Sequence, residues 1–144
     1  MLYSMHIYEL SMNIGEKIWK LVNGWDYFAK LTIGKQLVLS TDSMACSLRD
    51  CYGNKNNYEI KKRAYFTITY LNETKTLIAK AAKRKLIDEK EYNNISTEIN
   101  VISFLLNKYA DSAKQNSAEN NKNEIIELKE YNRIIYERNN NNQA

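Results

Sequence analysis

Residues 32–54 read TIGKQLVLSTDSMACSLRDCYGN, and the fold turns on whether this stretch is a reactive loop or a helix. Ile33, Leu37, Thr41, Met44, Leu48 and Cys51 recur at the helical interval, so one continuous face carries the apolar residues. Thr32 is placed to cap the start, and Gly53 with Asn54 to end it. Asp42, Ser47 and Arg49 fall off the apolar stripe. They are expected to form a solvated face or a seam between helices.

The same period runs outward on both sides. Upstream, from about Tyr3 to Asn23, Ile7, Leu10, Ile14, Ile18, Leu21 and Trp25 make one face, and Asn23-Gly24 stops it. Trp25, Tyr27 and Phe28 fall in a short aromatic connection. Downstream, Asn56 with Glu59 makes a capping box for a helix running to about Lys85. Its core stripe is Ile60, Ala64, Ile68, Leu71, Ile78 and Ala82, and a second stripe holds Phe66, Tyr70, Leu77 and Ala81. A helix apolar on two sides is expected to meet another subunit, which assigns Phe66, Tyr70 and Leu77 to an oligomer interface. Half-exposed aromatics of an ordinary surface are the plainer alternative. Asp88 and Glu91 cap a fourth helix, with Tyr92, Ile95, Ile99, Ile102, Leu106 and Tyr109 along its seam, ending near Ala110.

Four helices of about 20 residues with short connections make an all-α, antiparallel up-down-up-down bundle over residues 1–111. Composition agrees: there is no proline and only four glycines in 144 residues, too little turn chemistry for a β fold. Residues 112–144 change character. They form an asparagine-rich flexible tail, and 124–138 have the pattern of a short fifth amphipathic helix that needs something to dock on.

Several function classes find no support. No run of about 18 uncharged apolar residues suggests a membrane span, and no secretory signal opens the chain. Two cysteines are too few for a disulfide scaffold, so a reducing cytoplasm is the expected location. Cys46 and Cys51 stand about 140° apart on a helix and cannot share one metal ion. His6 is the single histidine, far in sequence from Ser43, Cys46 and Ser47, so neither a nucleophilic triad nor a di-iron signature is present. Asp42, Asp50 and Glu73 are the acids nearest a bundle interior, but such acids usually serve packing. No metal, cofactor or catalytic residue is expected.

Charge is the informative property. Residues 1–54 hold five bases and five acids; residues 55–85 hold nine bases and two acids, or +7; residues 86–144 hold seven bases and ten acids, or −3. All the basic excess therefore sits on one helix. Lys55, Lys61, Lys62 and Arg63 stand at its start and Lys80, Lys83, Arg84 and Lys85 at its end, with Tyr58 and Tyr65 between. Cationic side chains neutralise phosphates and release counterions, and tyrosines stack on unpaired bases. These eight are the candidate nucleic-acid contacts, and an ordinary solvated helix is the alternative.

The runs WDYFAKLTIGKQLVLSTDSMACSLRDCYGN (25–54) and YLNETKTLIAKAAKRKLIDEKEY (70–92) resemble the bacterial four-helix-bundle proteins of the ribosomal S23, or 23S rRNA intervening-sequence, family. These are similar in turn to the accessory variability protein of diversity-generating retroelements. The resemblance covers about residues 5–110. It implies a homopentameric barrel without enzymatic activity. For the retroelement branch it also implies a basic surface that binds RNA or DNA and a partner reverse transcriptase. Asp42, Ser43, Gly53 and Glu73 match the family pattern, whereas Ser47, Arg49-Asp50-Cys51 and Ile68-Thr69-Tyr70 depart from it. The expected function is a homo-oligomeric nucleic-acid-binding adaptor; the alternative is a protein-interaction scaffold with no nucleic-acid role.

Overall fold

The computed structural model describes residues 2–51, 57–112 and 129–133. Helix α1 spans Leu2–Asn23; a single turn, α2, spans Tyr27–Ala29 and runs through a π-helical turn at Lys30–Gly34 into α3, Lys35–Cys51. Helices α4, Asn57–Lys83, and α5, Glu89–Ser112, complete an antiparallel bundle. Neighbours pair as α1–α3, α3–α4, α4–α5 and α5–α1, so α1 lies diagonally across from α4. The chain divides into two units, 1–114 and 115–144, and the described part of the second is a helical stretch at 129–133 held by an Arg133–Glu130 ion pair. Most of the fifth helix expected at 124–138, together with Lys55, Gly53, Asn54 and the Asn56 cap, lies outside the described residues.

The core is the set of stripes read from the sequence, with polar additions. Ile7, Ile14, Ile18, Leu37, Met44, Leu48, Leu71, Ile78, Ile99, Ile102 and Leu106 are almost fully buried. Each such aliphatic side chain contributes roughly 1.5–3 kcal/mol by leaving water. Ser11, Thr41, Thr67 and Thr74 share that interior. On α4 the buried row is Ala64, Thr67, Leu71, Thr74, Ile78 and Ala81, a strict three–four alternation. Ile60, Ile68 and Ala82, expected there, are half-buried flankers. The buried row passes through Thr67 and Thr74, which the expected stripe leaves out.

The start of the second long helix also differs. Asp26, not Thr32, is the cap: its Oδ1 accepts from the Ala29 N–H at 3.0 Å. The Thr32 hydroxyl instead donates to the Phe28 carbonyl. Trp25 is buried, whereas Tyr27 and Phe28 point outward from the first turn.

Between α4 and α5 the chain turns on a Schellman motif. The Leu86 N–H donates to the Ala81 carbonyl and the Lys85 N–H to the Ala82 carbonyl, both at 3.0 Å. The residue this motif places in the left-handed region is usually glycine; here it is Lys85, at φ 58°. The capping box expected at Asp88 and Glu91 follows: the Glu91 N–H donates to Asp88 Oδ1 at 2.7 Å, and the Asp88 N–H to Glu91 Oε2 at 3.3 Å. A left-handed lysine costs about 1 kcal/mol. Lys85→Gly is therefore expected to raise stability by that order, seen as a higher urea midpoint at unchanged slope. An unmoved or lower midpoint would show the backbone there to be unstrained.

Candidate nucleic-acid interface

Helix α4 carries two candidate surfaces, and its inner side is fixed by a seam of hydroxyls against α3. Ser40 Oγ and Thr74 Oγ1 lie 2.9 Å apart, and each is also within hydrogen-bond reach of a carbonyl of its own helix, Leu37 for Ser40 and Tyr70 for Thr74. Two hydrogens serve three contacts, so one hydroxyl donates across the interface and the other to its own helix. Two turns away, Thr67 Oγ1 donates to Ser47 Oγ at 3.0 Å and to the Arg63 carbonyl, and Ser47 Oγ reaches the Arg63 carbonyl at 3.3 Å. Ser47, read from sequence as off the apolar stripe, is thus part of an inter-helix seam. Removing one partner from a buried pair costs more than removing both. Thr74→Val is expected to destabilise by about 1 kcal/mol. Adding Ser40→Ala should cost less than the sum of the two single changes, read by denaturant titration of the four proteins; strict additivity would mean the seam contributes nothing.

At the amino end of α4, Lys61 and Lys62 are exposed. Arg63 is not equivalent to them. Its guanidinium Nη1 holds Asp50 Oδ2 at 2.8 Å, tying α4 to the end of α3, and its Nε is buried. The same contact accounts for Asp50, which sits at the exposed end of α3; Asp42 and Glu73 are exposed as well, and none of the three lies in the interior as expected. At the carboxyl end, Lys80, Lys83, Arg84 and Lys85 are all exposed within two turns, immediately before the motif that fixes the α4–α5 corner. Three of these four fall in or beside the corner itself, so their backbones are held by the hydrogen bonds of that turn and not only by helix propensity.

On the outer side of α4, Phe66 is 53% exposed and Tyr70 half-buried. Leu77 corrects the sequence expectation: it is only 6% exposed and packs within its own bundle. Leu77 stands one turn from both Thr74 and Ala81 in the buried row, so it has almost no surface to offer a neighbour. The sequence also missed a second exposed apolar face. On α1, Met5, Met12 and Trp19 recur every seven residues on one outer line, and Trp19 and Leu39 of α3 are 59% and 56% exposed. The signal was the seven-residue spacing beside, not within, the core stripe.

The remaining candidates show no constellation. Cys51 is buried, which pushes its thiol up to about 11, against the opposing pull of Arg63; it stays protonated and unreactive at neutral pH. Cys46 is exposed. No cluster of three or more histidine, cysteine or carboxylate side chains among the described residues suits a metal ion, and no described helix is long and apolar enough to cross a membrane.

Known proteins match this architecture. The profile of the 23S rRNA-intervening sequence protein family matches residues 3–108, the whole bundle. Among curated proteins no relative matches the chain. A crystal structure of a protein of unknown function from the S23 ribosomal protein family of Bacteroides thetaiotaomicron superposes with a TM-score of 0.70 at 16% identity, covering 76% of this chain and 98% of that one. At that identity the likeness concerns the fold, while the profile match, which spans well over half of the sequence, fixes the relationship: the chain belongs to the 23S rRNA-intervening sequence protein family.

Proposed function

We propose that the protein is a non-enzymatic, homo-oligomeric adaptor that binds RNA or DNA through the basic ends of α4. The observation that carries this reading is the α4–α5 corner, where Lys80, Lys83, Arg84 and Lys85 are exposed together and Lys85 holds a backbone conformation that glycine would hold at lower cost. Cations do favour a helix C-terminus on their own account, because they offset the macrodipole. That effect explains Lys80 and Lys83; it does not explain a lysine in the left-handed position. Lys61 and Lys62 extend the basic surface at the other end, Lys55 falls with them by sequence, and Arg63 contributes least because Asp50 already holds it.

Oligomerisation supplies avidity. One corner makes few phosphate contacts, but several copies in one assembly sum them. Of the residues expected at the subunit interface, Phe66 and Tyr70 keep apolar surface to bury against another subunit. A reverse transcriptase as protein partner, and a pentameric count, rest on the resemblance to the retroelement accessory proteins. The test is a titration of labelled single-stranded RNA and duplex DNA, from low salt to above 0.2 M, followed by anisotropy. Affinity is expected to fall linearly on a log–log plot, with a slope of several units. Absence of binding at the lowest salt would leave the scaffold reading in its place.

A further inference from the structure

We propose that Tyr27 and Phe28 form a stacking platform for unpaired bases beside the Lys80–Lys85 cluster, so that this end of the bundle takes single-stranded nucleic acid. This rests on the phosphate contacts read above and names the kind of strand they hold.

Tyr27 and Phe28 are 78% and 76% exposed, the highest values among the large apolar side chains described, and Leu31 follows in the next turn, exposed as well. They leave the core to Trp25, which is buried. Their backbone is nonetheless fixed. Asp26 Oδ1 accepts from the Ala29 N–H, the Lys30 N–H donates to the Asp26 carbonyl at 2.9 Å, and the Thr32 hydroxyl donates to the Phe28 carbonyl at 2.7 Å. Rings carried on a rigid turn lose less freedom when a base covers them.

The hydroxyl seam supplies the register that places these rings. Ser40 faces Thr74 and Ser47 faces Thr67, so seven residues along α3 match seven back along α4. Carried to the other end of α3, the same spacing sets Lys30 level with Arg84, and Tyr27 and Phe28 level with Leu86 and Ile87. Packed helices lie about 8–10 Å apart, so the rings and the cluster Lys80, Lys83, Arg84 and Lys85 share one end of the bundle. Residues 26–35 and 80–91 together hold seven bases and four acids. Three of those acids, Asp26, Asp88 and Glu91, each give an oxygen to a backbone cap.

A duplex keeps its bases stacked on one another and offers this end only phosphates. A single strand offers both parts: phosphates to the lysines, and a base free to leave its neighbours for a ring. Every base has a π face, so little sequence preference is expected. A lipid surface takes cations and aromatics too, but through amphipathic helices lying flat on it; α2 is three residues long and gives it little apolar area.

The test uses the full chain, a labelled oligothymidine and a labelled blunt DNA duplex of equal length, read by anisotropy. Wild type is expected to prefer the single strand. Tyr27→Ala and Phe28→Ala should each weaken that binding roughly five- to a hundredfold. Duplex affinity and both salt slopes should stay as they were, since no phosphate contact is lost. Phe28→Leu keeps apolar bulk without a π face and should behave as the alanine variant does. Phe28→Trp should keep the affinity, with its emission quenched by oligothymidine beyond the quenching in wild type. Thermal melts should match wild type throughout, because the rings are exposed. Ring variants that bind oligothymidine as wild type does, that lose both probes alike, or that are rescued by leucine would overturn the platform. Reversing Lys83, Arg84 and Lys85 to glutamate separates the two claims: if it weakens both probes while the ring variants weaken neither, the basic corner stands and the platform falls. Wild type that binds neither probe loses both. Ring-dependent pelleting with phosphatidylglycerol vesicles, with oligothymidine affinity unmoved, would overturn the proposal in favour of a lipid surface.

Discussion

Gly34→Ala is expected to lower stability by about 1–3 kcal/mol, the range for forcing extra volume into a packed site. A Cβ at residue 34 would stand 2.7 Å from Val22 Cγ1, 2.9 Å from the Ala29 carbonyl oxygen and 3.4 Å from Trp25 Cε3. The first two distances are below any ordinary contact. The valine is β-branched and has few rotamers to retreat into. The carbonyl belongs to the backbone entering the π turn, so it moves only if that turn opens. The Lys35 N–H reaches back five residues to the Lys30 carbonyl there, and this wider turn is what brings Gly34 against α1. The variant should keep its helical circular dichroism and lose denaturant midpoint. Val22→Ala in the same chain should recover part of the loss by removing one of the two clashes, an interaction that a double-mutant cycle isolates. An unchanged midpoint in Gly34→Ala would mean that α1 does not pack this closely on the turn. Gly34 and Val22 also line the groove between α1 and α3, so the same close approach shapes that surface.

How much of this was legible beforehand depends on the kind of residue. Aliphatic stripes on α1, α3 and α5 carried the bundle, because isoleucine and leucine every three or four residues have one cheap place to go. The Asp88–Glu91 box was visible because both partners are local. Two things were not visible. Threonine in a helix satisfies its own hydroxyl through the carbonyl one turn back, as Thr67, Thr74 and Thr41 do. It can then be buried like valine, and a stripe drawn through the isoleucines of α4 alone, Ile60, Ile68 and Ile78, passes Thr67 and Thr74 by. Leu77, between Thr74 and Ala81 at the same spacing, belongs to that buried row as well. The π turn at Lys30–Gly34 was hidden as well: one extra residue in a turn shifts every later side chain by about 100°, and nothing in TIGKQL announces it. For the candidate site, charge density on α4 was plain from the sequence. That Arg63 is held by Asp50, while Lys80 to Lys85 remain open to solvent, depends on which residue lies across the α3–α4 interface, and only the packed bundle sets that.

Reversing Lys83, Arg84 and Lys85 to glutamate together is expected to weaken nucleic-acid binding roughly a hundredfold near 0.1 M salt, and to reduce the salt slope by about three. Three lost phosphate contacts account for the slope. The change also takes the formal net charge from +4 to −2, since each reversal subtracts two, so repulsion at long range adds to the loss of affinity. Salt separates these effects, because long-range repulsion is screened out as ionic strength rises, whereas the loss from missing local contacts persists. The fold should survive. The three side chains are exposed, and the Leu86 and Lys85 backbone bonds that close α4 do not use them. Acids at a helix C-terminus face the negative end of the macrodipole, so a loss on the order of 1 kcal/mol is expected. Lys85→Gly then splits structure from binding: it should stabilise the corner while removing one contact, lowering the slope by about one. Affinity and slope unchanged in the triple variant would remove the α4–α5 corner from the interface. A corner that gains stability from glycine and loses nothing in binding would show that the lysine is tolerated there, with no role in holding phosphate.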